Sequence, residues 1–102
     1  MRPQLKSLRY NGDFRIVFAY TDGLTAELNF AKYVQEIHGP VGEPLQDEQF
    51  FAQAYIDYGV LTWPNGYDVC PDVLRFWCEQ GRVCSREETD GYFQNALSRV
   101  SA

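Results

Sequence analysis

Large apolar side chains recur at every second position from Phe14 to Tyr20, with Phe14, Ile16, Phe18 and Tyr20 on one side of the chain. A period of two marks a strand with one buried face. Leu24, Ala26, Leu28 and Phe30 repeat the pattern against Thr25, Glu27 and Asn29. Leu5 to Tyr10 is also strand-compatible, and Asn11-Gly12 and Asp22-Gly23 are strong hairpin signals. The expectation is a three-stranded antiparallel meander closed by two-residue turns, with both rows of large apolar side chains on one face. Such a face is unstable alone and must be covered by something later in the chain.

The pattern then changes period. Tyr33, Val34 and Ile37 have helical spacing in a short segment from Ala31, and Gly39 to Pro44 reads as a surface loop. Asp47 is placed to cap a single turn through Phe50, Phe51 and Ala54. Tyr55 to Tyr58 and Val60 to Trp63 flank Gly59 as a second, short hairpin. Pro64-Asn65-Gly66 supplies a further reversal, because these residues tolerate the dihedrals of a sharp turn.

Two helices follow. Pro71 suits a first helical position, Val73, Leu74, Trp77 and Cys78 form a stripe, and Gly81 is a natural stop. Ser85-Arg86-Glu87-Glu88 matches a capping box, and Tyr92, Phe93, Ala96, Leu97 and Val100 form the apolar stripe of the last helix. The fold class read from these elements is α+β: an antiparallel β-meander plus a short second hairpin, covered by short helices and two C-terminal helices.

Composition narrows the function classes. Of 102 residues, 16% are aromatic, which allows a compact core in one small domain. The net charge of −5, with nine basic residues, opposes a phosphate backbone, so a nucleic-acid partner is not expected. No signal-like start or bilayer-length apolar run is present, and a cytoplasmic protein with no membrane contact is the default expectation. Three cysteines, Cys70, Cys78 and Cys84, are an odd count whose spacings miss the Cys-x-x-Cys pattern. With His38 as the single histidine, neither a disulfide framework nor a metal site is expected, and nothing calls for a cofactor.

Chemistry gathers around Trp63. Cys70, before Pro71 at a helix start, is the best lone nucleophile candidate, but His38 lies in a different loop. Asp57, Asp68 and Asp72 are candidates to converge near the Trp63 turn as paired carboxylates. The competing reading makes Asn65, Asp68 and Asp72 caps for backbone N–H groups. Trp63 and Tyr67 read either as a ligand wall or as core aromatics. The candidate binding set is Trp63, Asn65, Tyr67, Asp68, Cys70 and Asp72. The candidate interface is Tyr92, Phe93, Leu97 and Val100, offered to a protein partner or to a second copy in a homodimer.

The blocks Phe18-Ala19-Tyr20-Thr21-Asp22-Gly23, Leu45 through Phe51, Trp63-Pro64-Asn65-Gly66-Tyr67-Asp68 and Pro71-Asp72-Val73-Leu74 resemble domain-of-unknown-function family 2442, a group of small bacterial proteins. The Trp-Pro-Asn-Gly block is the specific part. The resemblance covers residues 5 to about 77 and implies a compact α+β fold with an antiparallel sheet; the domain is read as residues 1–80, with residues 81–102 as a helical extension packed on the same domain or on a second copy. It implies no established activity. Some relatives carry a helix-turn-helix domain, and others are associated with toxin-antitoxin operons. About twenty residues follow the matched region here, too few for a helix-turn-helix, so DNA binding is not expected to transfer. The leading reading is a noncatalytic protein-interaction module. The alternative is a small ligand-binding protein or enzyme using Cys70 and nearby carboxylates.

Overall fold

The computed structural model describes residues 3–37 and 39–101, with side chains through Phe93. His38 and the side chains of Leu97 and Val100 lie outside the described residues. The chain opens with strands β1 (Leu5–Tyr10), β2 (Arg15–Tyr20) and β3 (Thr25–Asn29), paired antiparallel in the order β1-β2-β3. Helix α1 (Ala31–Glu36), a 3-10 turn (Glu43–Gln46) and the single-turn α2 (Glu48–Phe51) lead to a second sheet of β4 (Tyr55–Asp57), β5 (Val60–Thr62) and β6 (Asp68–Val69). Helices α3 (Pro71–Gln80) and α4 (Arg86–Ser101) complete this α+β fold.

The apolar rows share a face as expected, but for a different reason. Ile16 stands opposite Leu28 and Phe18 opposite Ala26, and paired residues project to the same side. Two-residue turns would not have done this. A turn confined to Asp22-Gly23 would pair Thr21 with Leu24 and Phe18 with Glu27, sending one apolar row outward. Instead Tyr20 N–H donates to Leu24 O at 2.9 Å and Gly23 N–H to Tyr20 O at 3.1 Å, a three-residue loop. Gly23 takes a left-handed φ of 94°, the bulge position of such loops.

The first hairpin departs further. Its loop is Gly12 to Phe14, closed by Asn11 N–H to Arg15 O at 2.8 Å, and Asp13 and Phe14 hold φ of 53° and 61°. Non-glycine residues in this region cost roughly 1–2 kcal/mol each. Side chains from elsewhere hold them there. Glu48 Oε1 accepts from Asp13 N–H at 3.0 Å and from the Tyr10 hydroxyl at 2.7 Å, while that hydroxyl accepts from Phe14 N–H at 3.2 Å. The Phe14 ring packs edge-on against Phe51 at 5.1 Å. In β1 a register shift between Leu5 and Ser7 returns Leu5 to the buried face.

The core is a chain of aromatic contacts. Phe30, fully buried, lies 5.5 Å from Phe51, 6.2 Å from Phe18 and 6.2 Å from Trp77, and Phe51 lies 5.4 Å from Trp63. Helix α3 covers the meander, packing against β3 and β5 with Leu74, Phe76, Trp77 and Cys78 inward. Phe76 was not part of the stripe expected from spacing; it is buried because α4 closes over it. Arg75 clamps α3 to the turn between β2 and β3. It pairs with both Asp22 oxygens at 2.8 and 3.0 Å and with Glu79 at 2.7 Å, over the Tyr20 ring.

Gly39 to Pro44 lies at the surface, as expected, apart from one residue. Gly42 is buried, and a Cβ there would overlap Ile37 Cγ2. The second sheet also gains a strand beyond the expected hairpin, because β6 pairs Val69 with Leu61 and Asp68 with Thr62.

Candidate functional site

The Trp63 turn is built like the Tyr20 loop. Trp63 N–H donates to Tyr67 O at 2.8 Å, Gly66 N–H donates to Trp63 O at 2.9 Å, and Gly66 has φ of 90°. Its side chains then reach outward to pin neighbouring segments. Asn65 Nδ2 donates to Val41 O at 2.7 Å and Asn65 Oδ1 accepts from Tyr67 N–H at 3.1 Å. The Trp63 indole N–H donates to Phe51 O at 2.9 Å, and the ring is fully buried. The structure therefore places Trp63 in the core and spends both polar groups of Asn65 on backbone.

Asp57 and Asp68 are not brought together. Asp57 sits on β4 and Asp68 on β6, the two outer strands of the second sheet, so about 10 Å of strand spacing separates them. Asp72 lies in the first turn of α3 and does not line the groove described next.

Tyr67, Asp68 and Cys70 do meet, on one wall of an open groove of about 710 Å³. Helix α1 contributes Tyr33 and Glu36, α3 contributes Val73 and Trp77, and the far wall is the segment from Val83 to Asp90. The Tyr33 and Tyr67 hydroxyls bond each other at 2.7 Å. Burial, and then the bond to Tyr67, raise the Tyr33 phenol pKa, so it stays neutral. The Trp77 indole N–H donates to Thr89 Oγ1 at 3.1 Å, and that hydroxyl donates to Ser85 O at 2.9 Å.

The far wall is fixed by its capping box. Glu88 N–H donates to Ser85 Oγ at 3.1 Å and Ser85 N–H to Glu88 Oε1 at 3.1 Å. Arg82 forks onto the same carboxylate, 3.0 Å from Oε1, and holds the Glu88 pKa down to about 2. Tyr92 stacks on Phe76 at 4.2 Å and Phe93 meets it edge-on at 6.2 Å, so two of the four candidate interface residues pack within their own chain.

The cysteines are all free thiols. Cys70 is exposed; Cys78 and Cys84 are buried, and burial pushes the Cys78 thiol up to about 11. The described lining of the groove holds no histidine. Among the described residues no cluster of His, Cys, Asp or Glu is arranged to hold a metal ion, and no helix is long and apolar enough to cross a membrane.

Sequence reasoning reached Tyr67, Asp68 and Cys70 but not Tyr33, Val73, Trp77, Cys84 and Thr89 as one surface. The capping box signalled where α4 begins, yet only the docking of α4 on α3 makes the wall. No curated protein and no solved structure matches the chain. The profile of one family, described as a protein of unknown function (DUF2442), matches residues 5–80, from the first strand to the end of α3. Matched over most of its length, the chain belongs to that family.

Proposed function

We propose that the chain is a noncatalytic protein-interaction module that receives its partner in the groove between α1, β6, α3 and α4. One observation carries this reading. Tyr33 bonds Tyr67 and Trp77 bonds Thr89 at the groove floor, leaving one phenol proton over, and charged side chains line the groove around them. An apolar floor inside a polar rim suits burial of a partner side chain. The reading that uses Cys70 and carboxylates as an enzyme has less support, since a nucleophile needs a base within hydrogen-bond reach and Asp57 and Asp68 stand apart. Tyr92 stacks on Phe76 yet stays 46% exposed, so a second copy is the alternative partner at that helix. The setting we propose is a toxin-antitoxin or other regulatory pair, as the resemblance implies.

Affinity capture from native lysate with mass spectrometry tests the reading, using wild type beside Val73→Glu, which places a charge on the groove floor. A partner held in fixed stoichiometry by wild type and lost by the variant is the expected result. Equal capture by both would remove the groove from the account. For the enzyme reading, iodoacetamide at mildly acidic pH should label Cys70 no faster than free cysteine; selective, rapid labelling there would put the thiol chemistry first.

A further inference from the structure

The walls of the groove differ in how their charges are used. Four carboxylates line it, Glu36, Asp68, Glu88 and Asp90, against Lys32 and Arg86. On the α4 wall Glu88 is held by Arg82, and Asp90 lies 3.9 Å from Arg86. On the opposite side Glu36 and Asp68 are exposed and have no ion-pair partner among the described residues, with Lys32 a turn before Glu36. Among the described residues the groove thus keeps two uncommitted carboxylates against one uncommitted lysine, a small excess of negative charge beside an apolar floor, in a chain whose net charge is −5.

Its size limits the occupant. A volume of about 710 Å³ takes a few side chains but not the face of a folded domain. The floor also retains a donor: two phenols that share one hydrogen bond have two O–H protons between them, so one proton remains to be given. A peptide backbone brings a carbonyl acceptor at every residue.

Building on the interaction-module reading, we infer that the groove binds a basic segment of a partner protein. An apolar side chain of that segment sits over Tyr67 and Val73, and a neighbouring Lys or Arg pairs with Glu36 and Asp68. The negative field steers the segment in, and the rim pairs set its sign preference more than its affinity. The wall from Val83 to Asp90 lies beyond the residues that match the family, 5–80, so the choice of segment belongs partly to this chain's own extension.

Fluorescence polarisation with three labelled hexapeptides tests the inference: Lys-Leu-Lys-Phe-Lys-Leu, the same peptide with Glu for each Lys, and the same with Ser for Leu and Phe. The first should bind about tenfold or more tighter than either control and weaken with added salt. Its advantage over the Glu peptide should vanish in the Glu36→Lys, Asp68→Lys double variant. Both positions are exposed, so the variant should keep its circular dichroism melt. In the labelled protein, amide shifts on binding should centre on Tyr67 to Val73 and on Thr89.

Equal binding of the Glu peptide, equal binding of the Ser peptide, shifts confined to another surface, or no binding by any of the three would overturn the inference. The two readings fail separately. A lysate partner that is lost with Val73→Glu but retained by the double variant keeps the interaction module and removes the basic segment.

Discussion

Replacing Trp63 by Phe separates a structural role for the Trp63 turn from a ligand-contacting one. The indole is fully buried between Phe51, 5.4 Å away, and Tyr67, 5.8 Å away. The substitution removes the Nε1 donor to Phe51 O and about three ring atoms. Phe51 O keeps a second partner, Ala54 N–H at 3.2 Å, so the carbonyl is not stranded. The lost hydrogen bond then costs about 1 kcal/mol rather than the full penalty of an orphaned group. The lost ring volume adds about 1–2 kcal/mol through transfer and cavity terms. Together these give about 2–3 kcal/mol, a large share of the roughly 5–15 kcal/mol that holds a domain of this kind. With a urea m-value of about 1.5 kcal/mol/M, the midpoint should fall by roughly 1–2 M at unchanged slope. Far-ultraviolet circular dichroism is the suitable probe, because the mutation removes a fluorophore. A midpoint shift corresponding to less than about 0.5 kcal/mol, with partner capture abolished, would refute the structural assignment and make Trp63 a contact residue.

Two further outcomes follow from particular contacts. Gly42→Ala places a Cβ in overlap with Ile37 Cγ2 at a φ that any residue tolerates, so steric overlap alone should cost about 1–3 kcal/mol by thermal melting, and Ile37→Ala, which removes that methyl, should recover part of it; additive losses would contradict the overlap. Glu88, held down to about 2 mainly by its bonds to Arg82 and the Ser85 backbone, favours the folded state above its ordinary value of 4.5 and loses that contribution as pH falls toward 2. Helicity should therefore decline across that window in wild type and be flatter there in Glu88→Gln, with identical acid profiles counting against the cap.

Local chemistry was legible wherever one segment satisfied itself. The Ser85 to Glu88 capping box forms as its spacing implies, Gly81 ends α3 with φ of 77°, and Asp47 Oδ1 accepts from Gln49 N–H at 3.0 Å to start α2. Alternation along β2 and β3 named the buried residues correctly, because a strand with one covered face leaves a period of two whatever its turns do. Turn length was not legible. Asn11-Gly12 and Asp22-Gly23 both permit two-residue turns, and the three-residue loops were selected by the need to keep Phe18 and Leu28 on one face and by Glu48, distant in sequence, bonding Asp13 N–H.

The candidate site divides along the same line. Clustering of Trp63, Asn65, Tyr67, Asp68 and Cys70 within a few residues is visible in the chain, but which of them reach a shared surface depends on what packs behind each one. Trp63 is taken by the Phe51 carbonyl and Asn65 by Val41, contacts spanning 12 and 24 residues. The groove itself exists only because α1, β6, α3 and α4 close around Trp77. Local hydrogen bonding and hydrophobic period determine elements from sequence alone, whereas a surface shared by four elements is decided by long-range packing, which has no local signature.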